Sequence, residues 1–197
     1  MKPLLRIGLA ALAIATLGLI ATAAEKKETE ANDYTRSVAR AAEPGNGTAE
    51  NTKPALEIFN QTGIRVVAQI NYADTMPNGI SKQIMAVKNL YDQYAALGMK
   101  PGKDYDIVMV FRADGAQFLL ADEAYDLKVK QPHPRGNPSK TMIEALHKGG
   151  VRMYECHVAM TLKGYKPEDL FPFSRVVVSG IGAVVDFEKS GYLPITP

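Results

Sequence analysis

Hydrophobic and polar positions alternate in two rhythms along the second two thirds of this chain. Ile64-Arg-Val-Val-Ala-Gln-Ile70 is rich in β-branched residues and predicts a strand, and Asn71 to Gly79 with Met76-Pro-Asn-Gly79 predicts a loop. Ile80, Ile84, Val87, Tyr91, Tyr94 and Leu97 recur at three- and four-residue steps, so they predict a helix over 80–97 that stops at Gly98. Asp106-Ile-Val-Met-Val-Phe111 is almost continuously apolar, as a strand covered on both faces would be.

A helix is predicted over Gly115–Leu127, with Phe118, Leu119, Ala121 and Leu127 facing the core. The three prolines of Gln131-Pro-His-Pro-Arg-Gly-Asn-Pro138 exclude a continuous helix there. A further helix covers Ser139–Lys148, with Met142, Ile143 and Leu146 inward. Val151 to Glu155 reads as a third strand leading into Cys156, and His157–Leu162 as a helix. Pro167–Leu170 reads as a short helical turn and Arg175–Ser179 as a fourth strand. Gly180 opens a last helix through Val184, Val185 and Phe187, and Gly191–Ile195 forms a last short strand. This β-α-β-α-α-β-α-β-α-β order argues for an α/β fold with a mostly parallel sheet of about five strands and helices on both faces.

The first third is different. Met1–Ala23 has basic Lys2 and Arg6, an apolar stretch from Ile7 to Ile20, and the small-x-small Ala21-Thr-Ala23. That is the pattern of a secretory signal peptide, and the apolar stretch is short for a membrane span of about 20 residues. Cleavage there would leave no stable span and would place the protein in the periplasm; retention as an uncleaved anchor is the other outcome. Residues 24–60 are polar and weakly patterned, as a flexible linker is, and residues 61–197 form the one domain. The chain has 23 basic and 21 acidic residues; removing Lys2 and Arg6 leaves 21 of each. No basic patch points to nucleic acid.

Cys156 is the one cysteine, so no intramolecular disulfide forms. In an open α/β sheet the carboxyl end of a strand is where ligands and chemistry sit, and a helix starting at Cys156 would favour its thiolate. Cys156 is either a reactive group or a small buried hydrophobe. His157 is adjacent, but neighbours on a strand point to opposite faces, so adjacency makes no Cys-His dyad. Cys156, His157 and Met160 together could bind a soft ion such as Cu(I), although His133, His147 and His157 are otherwise scattered without metal-ligand spacing. Gly180-Ile-Gly182 lacks the rest of a dinucleotide fingerprint, and no cofactor is expected. Ser179 and the helix start after it could hold a small anion such as sulfite or thiosulfate. Asp114 reads as a helix cap and Arg112 as a solvated arginine.

Ile143-Glu-Ala-Leu-His-Lys-Gly-Gly-Val-Arg-Met-Tyr-Glu-Cys156, Gly164-Tyr-Lys-Pro-Glu-Asp-Leu170 and Gly191-Tyr192 together resemble the DsrE/DsrF-like family. The resemblance covers about Ile64 to Ile195. It implies a flavodoxin-like three-layer sandwich, assembly into homo-oligomers, and a cysteine at the position of Cys156 that carries a persulfide and relays sulfur between donor and acceptor proteins. Activity would then be at most sulfurtransferase-like. The sulfur-oxidation members are cytoplasmic, whereas this leader points to export. Two other readings stay open beside sulfur relay: a non-catalytic module binding a small ligand or a protein, and periplasmic soft-metal binding.

Overall fold

The computed structural model describes residues 60–197, so the leader and nearly all of the linker lie outside the described residues. The domain contains strands β1 (Ile64–Ile70), β2 (Tyr105–Phe111), β3 (Arg152–Cys156), β4 (Arg175–Val177) and β5 (Leu193–Ile195). Its helices are α1 (Lys82–Ala96), α2 (Asp122–Lys128), α3 (Lys140–Lys148), α4 (His157–Lys163) and α5 (Gly180–Lys189), with 3-10 turns at Ala113–Leu119 and Pro167–Asp169.

The five strands form one sheet in the order β4-β3-β2-β1-β5, and every pairing is parallel. The α/β architecture expected from the alternation of elements is the one observed. Handedness explains the layering. The connections from β1 through β4 step in one direction across the sheet, so right-handed crossovers place their helices on one face. The connection from β4 to β5 runs back the other way, and α5 lies on the opposite face.

Side-chain alternation along the strands divides the core accordingly. Val66, Ala68 and Ile70 of β1, Ile107, Met109 and Phe111 of β2, and Met153 of β3 pack with Ile84, Val87, Ile143, Leu146 and Met160 from the helices. The intervening Val67, Val108 and Val110 pack against Ala183 and Val184 of α5 and against Tyr192. β2 is buried from both sides, which is why its sequence is almost continuously apolar. The α1 stripe falls as its spacing predicts, with Ile80, Ile84, Val87 and Tyr94 buried and Tyr91 and Leu97 partly so. Ser81 caps α1 by accepting from the Ile84 amide.

One predicted helix is broken. The segment after β2 is a 3-10 turn to Leu119, then extended backbone at Leu120 and Ala121, then α2. Outside groups take the hydrogen bonds that a continuous helix would have used internally. The Ala121 amide donates to the Asp169 carbonyl, and the Phe171 amide donates to the Leu119 carbonyl. Buried Asn137 donates through Nδ2 to the carbonyls of Phe118 (2.8 Å) and Leu120 (2.7 Å), and its Oδ1 accepts from the Ser139 amide. The break turns the following helix, so Leu127 is 81% exposed instead of packing inward. Asn137→Ala should cost about 2 kcal/mol in urea unfolding, because it leaves two buried carbonyls without donors. A change below about 0.5 kcal/mol would show that water replaces the amide there.

Candidate functional site

The residues of interest gather at the carboxyl edge of the sheet, where β1, β2, β3 and β4 all end. Cys156 is both the last residue of β3 and the N-cap of α4, with φ −79° and ψ 113°. The pairing of Phe111 with Glu155 sets Arg112 beside Cys156, and the pairing of Cys156 with Val177 brings the start of α5 over it. The thiol is 6% exposed and packs with Ala116 and Ala159.

Sγ accepts a hydrogen bond from the Gly180 amide at 3.1 Å. Gly180 is the first residue of α5, whose own cap is the Ser179 side chain accepting from the Gly182 amide. The sulfur therefore meets a free N–H at the positive end of a ten-residue helix. A side chain at Gly180 would prevent this. A Cβ there would lie 2.9 Å from Arg112 Cβ and 3.1 Å from Cys156 Cβ, closer than carbon atoms pack. The glycine allows close approach of the helix start to the thiol, a role its position in Gly180-Ile-Gly182 does not reveal by itself.

Arg112 is not a free surface arginine. Its Nε and Nη2 both donate to Gln69 Oε1, at 3.1 and 2.8 Å, which ties the ends of β1 and β2 together. The next residue, Ala113, has φ 49°, in the left-handed region that L side chains disfavour, so the chain leaves β2 under local strain. Asp114 does not cap the turn with its side chain; it pairs with Lys163 of α4 at 2.8 Å. This pair spans the 3-10 turn and α4 on either side of the cysteine.

Glu155 is the residue that sequence reasoning missed. It is fully buried. Its Oε1 accepts the Cys156 amide at 3.1 Å, while Oε2 has no partner among the described residues. Burial pushes the carboxyl up to about 9, against the opposing pull of the Cys156 amide, with the neighbouring thiol raising it further and Lys163 lowering it. Burial therefore favours the neutral acid over the carboxylate at Glu155. Tyr165, in the same region, is pushed up to about 12 by burial first and then by the charges of Glu155 and Asp114. A signal was present: Glu155 shares the inward register of Val151 and Met153 in an alternating strand.

The residues considered for soft-metal binding are not brought together. His157 is exposed and Met160 is buried in the larger core, on the other side of α4's first turn from the solvent. Among the described residues no group of three or more His, Cys, Asp or Glu is placed to hold a metal ion, and no helix is long and apolar enough to cross a membrane.

A five-stranded parallel sheet with helices on both faces defines an α/β protein, here with its one thiol at the carboxyl edge of the third strand. The chain belongs to the DsrE/DsrF-like family, whose model matches residues 71–197. It is similar in structure to MTH1491, a protein of unknown function from Methanobacterium thermoautotrophicum, with 21% identity over 68% of this chain and 99% of that one and a TM-score of 0.49. It is also similar to the ychN protein of E. coli, with 14% identity over 68% of this chain and 97% of that one and a TM-score of 0.46. No curated protein sequence matches the chain.

Proposed function

We propose that the protein carries sulfane sulfur on Cys156 as a persulfide and passes it between a donor and an acceptor. The observation that carries this reading is the setting of Sγ: the sole thiol of the chain meets the Gly180 amide at the start of α5, beside Arg112. A free N–H at a helix start is a donor suited to an anion. With thiosulfate as donor, the Cys156 thiolate attacks the outer sulfur. The Sγ–S bond forms, the S–S bond of thiosulfate breaks, and sulfite leaves with the electron pair. The product is a persulfide anion, and its transfer to an acceptor thiol returns Cys156 to its starting state.

Membership of the family supports sulfur relay in general. Work in the periplasm after removal of the leader is our proposal from the sequence of residues 1–23. So is assembly into a homo-oligomer or docking to a relay partner. Val176 and Val178 at the edge of the sheet, Ile181 and Val185 on α5, and Val158 and Leu162 on α4 are exposed apolar side chains around the cysteine-bearing edge. They suit a protein surface more than a free solvent face.

The test is the intact mass of the protein beginning at residue 24 after incubation with polysulfide or thiosulfate. A gain of about 32 Da that is absent in Cys156→Ala is expected. A thiol that stays unmodified in the folded protein overturns the relay reading. A second reading has one observation in its favour, the close packing of Cys156 with Ala116 and Ala159. There Cys156 is a core residue of a binding module, and Cys156→Ala lowers stability while ligand or partner binding persists.

A further inference from the structure

The relay chemistry just described makes no use of Glu155, although no side chain lies closer to the cysteine in sequence or is more deeply buried. The cysteine amide reaches Oε1, and Oε2 meets no partner among the described residues. An ionised carboxylate offers about four acceptor positions, and one N–H serves it poorly. A carboxylic acid suits the place better, since its carbonyl oxygen takes the amide and its proton removes the charge.

The surrounding groups point the same way. From β3 itself comes the Cys156 thiol. The paired residues on β2 and β4 are Phe111 and Val176, which bring no charge. From α4 and the turn after it come Lys163 and Tyr165, and from the 3-10 turn comes Asp114. Lys163 is the cation nearest in influence, and it is already bound to Asp114 at 2.8 Å. The other α4 group, His157, is exposed. The free donor at this strand end is thus on the sulfur side, in the Gly180 amide. One anion can be accommodated there, and a second on Glu155 has no answering group.

We propose that Glu155 is a positioning residue for Cys156: as a buried neutral acid it anchors the cysteine amide through Oε1 and leaves sulfur as the one place at this strand end where negative charge settles. The proposal rests on the sulfur-carrier reading, because it concerns the charge that the carrier sulfur must bear. The carboxyl and the thiol form a coupled pair, so loss of the proton from one opposes its loss from the other. Below about pH 9 the pair holds at most the sulfur's charge; above it, Glu155 ionises and works against the thiolate and the persulfide anion.

The experiment is an NMR titration of the protein labelled at the Cβ carbon and amide nitrogen of its single cysteine, in wild type, Glu155→Gln and Glu155→Ala, with the iodoacetamide alkylation rate followed in parallel. Wild type should titrate in two steps, the upper reporting Glu155. Glu155→Gln, which keeps the carbonyl acceptor, should lose the upper step and should not show the change in alkylation rate that accompanies it in wild type. Glu155→Ala should also show one step, but its cysteine amide proton should shift upfield from that of wild type and of Glu155→Gln, because the acceptor is gone. Superimposable titrations for wild type and Glu155→Gln, or a cysteine resonance that does not titrate at all, overturn the proposal. Two-step titration in a protein that polysulfide fails to modify would instead defeat the carrier reading and leave the Glu155 pairing standing.

Discussion

Gly115→Ala should destabilise the protein by about 3 kcal/mol or more in urea unfolding, the largest effect expected of any single methyl group added near the site. A Cβ on Gly115 would lie 2.2 Å from the Ile70 carbonyl oxygen, 2.4 Å from its carbon and 2.7 Å from the Asn71 nitrogen. These are backbone atoms at the end of β1, and the same carbonyl accepts the Arg112 amide at 2.9 Å. No side chain can rotate to relieve the overlap, so the 3-10 turn must lift off the sheet. Ala116 is the next residue and packs on Cys156. The variant should therefore also alkylate its cysteine faster than wild type in the native state. Gly182→Ala serves as the contrast. Its nearest neighbour would be Ser179 Cβ at 3.6 Å, an ordinary contact within a helix. It should be neutral or stabilise by roughly 0.5–1 kcal/mol through the higher helix propensity of alanine. Equal unfolding midpoints for Gly115→Ala and wild type would contradict the close seating of this turn.

The second large effect is a dependence on pH. Glu155 has its folded value raised from 4.5 to about 9, so between those limits the folded state keeps a proton that the unfolded chain releases. Stability therefore falls as pH rises through this window, by up to about 1.4 kcal/mol per pH unit from this group, and the full contribution is present only below the unfolded value. Glu155→Gln removes the titration and retains an oxygen for the cysteine amide. Its new side-chain N–H groups add a cost of about 1–3 kcal/mol that does not change with pH. The quantity to measure is the difference in unfolding free energy between variant and wild type. It should move in favour of the variant by roughly 2–3 kcal/mol between about pH 6 and pH 8. A difference that stays constant over that range would mean that Glu155 is ionised in the native protein.

These two residues also show where sequence and structure part company. The helix at 80–97 and the strand at 106–111 are legible because burial follows from periodicity, and periodicity is local. Cys156 is legible for a related reason: a strand and a helix meet at it, and parallel sheets put such junctions at one edge. The run at 115–127 looks helical by the same local criterion, yet the Asn137 side chain and the 167–171 segment take its hydrogen bonds, and neither can be foreseen from within the run. Arg112 reads as solvated until β1 places Gln69 against it, and Asp114 reads as a cap until α4 offers Lys163.

Hydrophobic period, turn residues and the position of one thiol were enough to specify an α/β domain with Cys156 at a strand end, because each depends on residues a few positions apart. Tertiary structure alone decided what surrounds that thiol. The Gly180 amide comes from 24 residues further along the chain, after the fourth strand has crossed to the sheet's edge. The protonation of Glu155 depends on how completely the turn and α4 cover it. A charge is stabilised or refused by everything within a few ångströms in space, and that neighbourhood exists only once the sheet has brought its strand ends together.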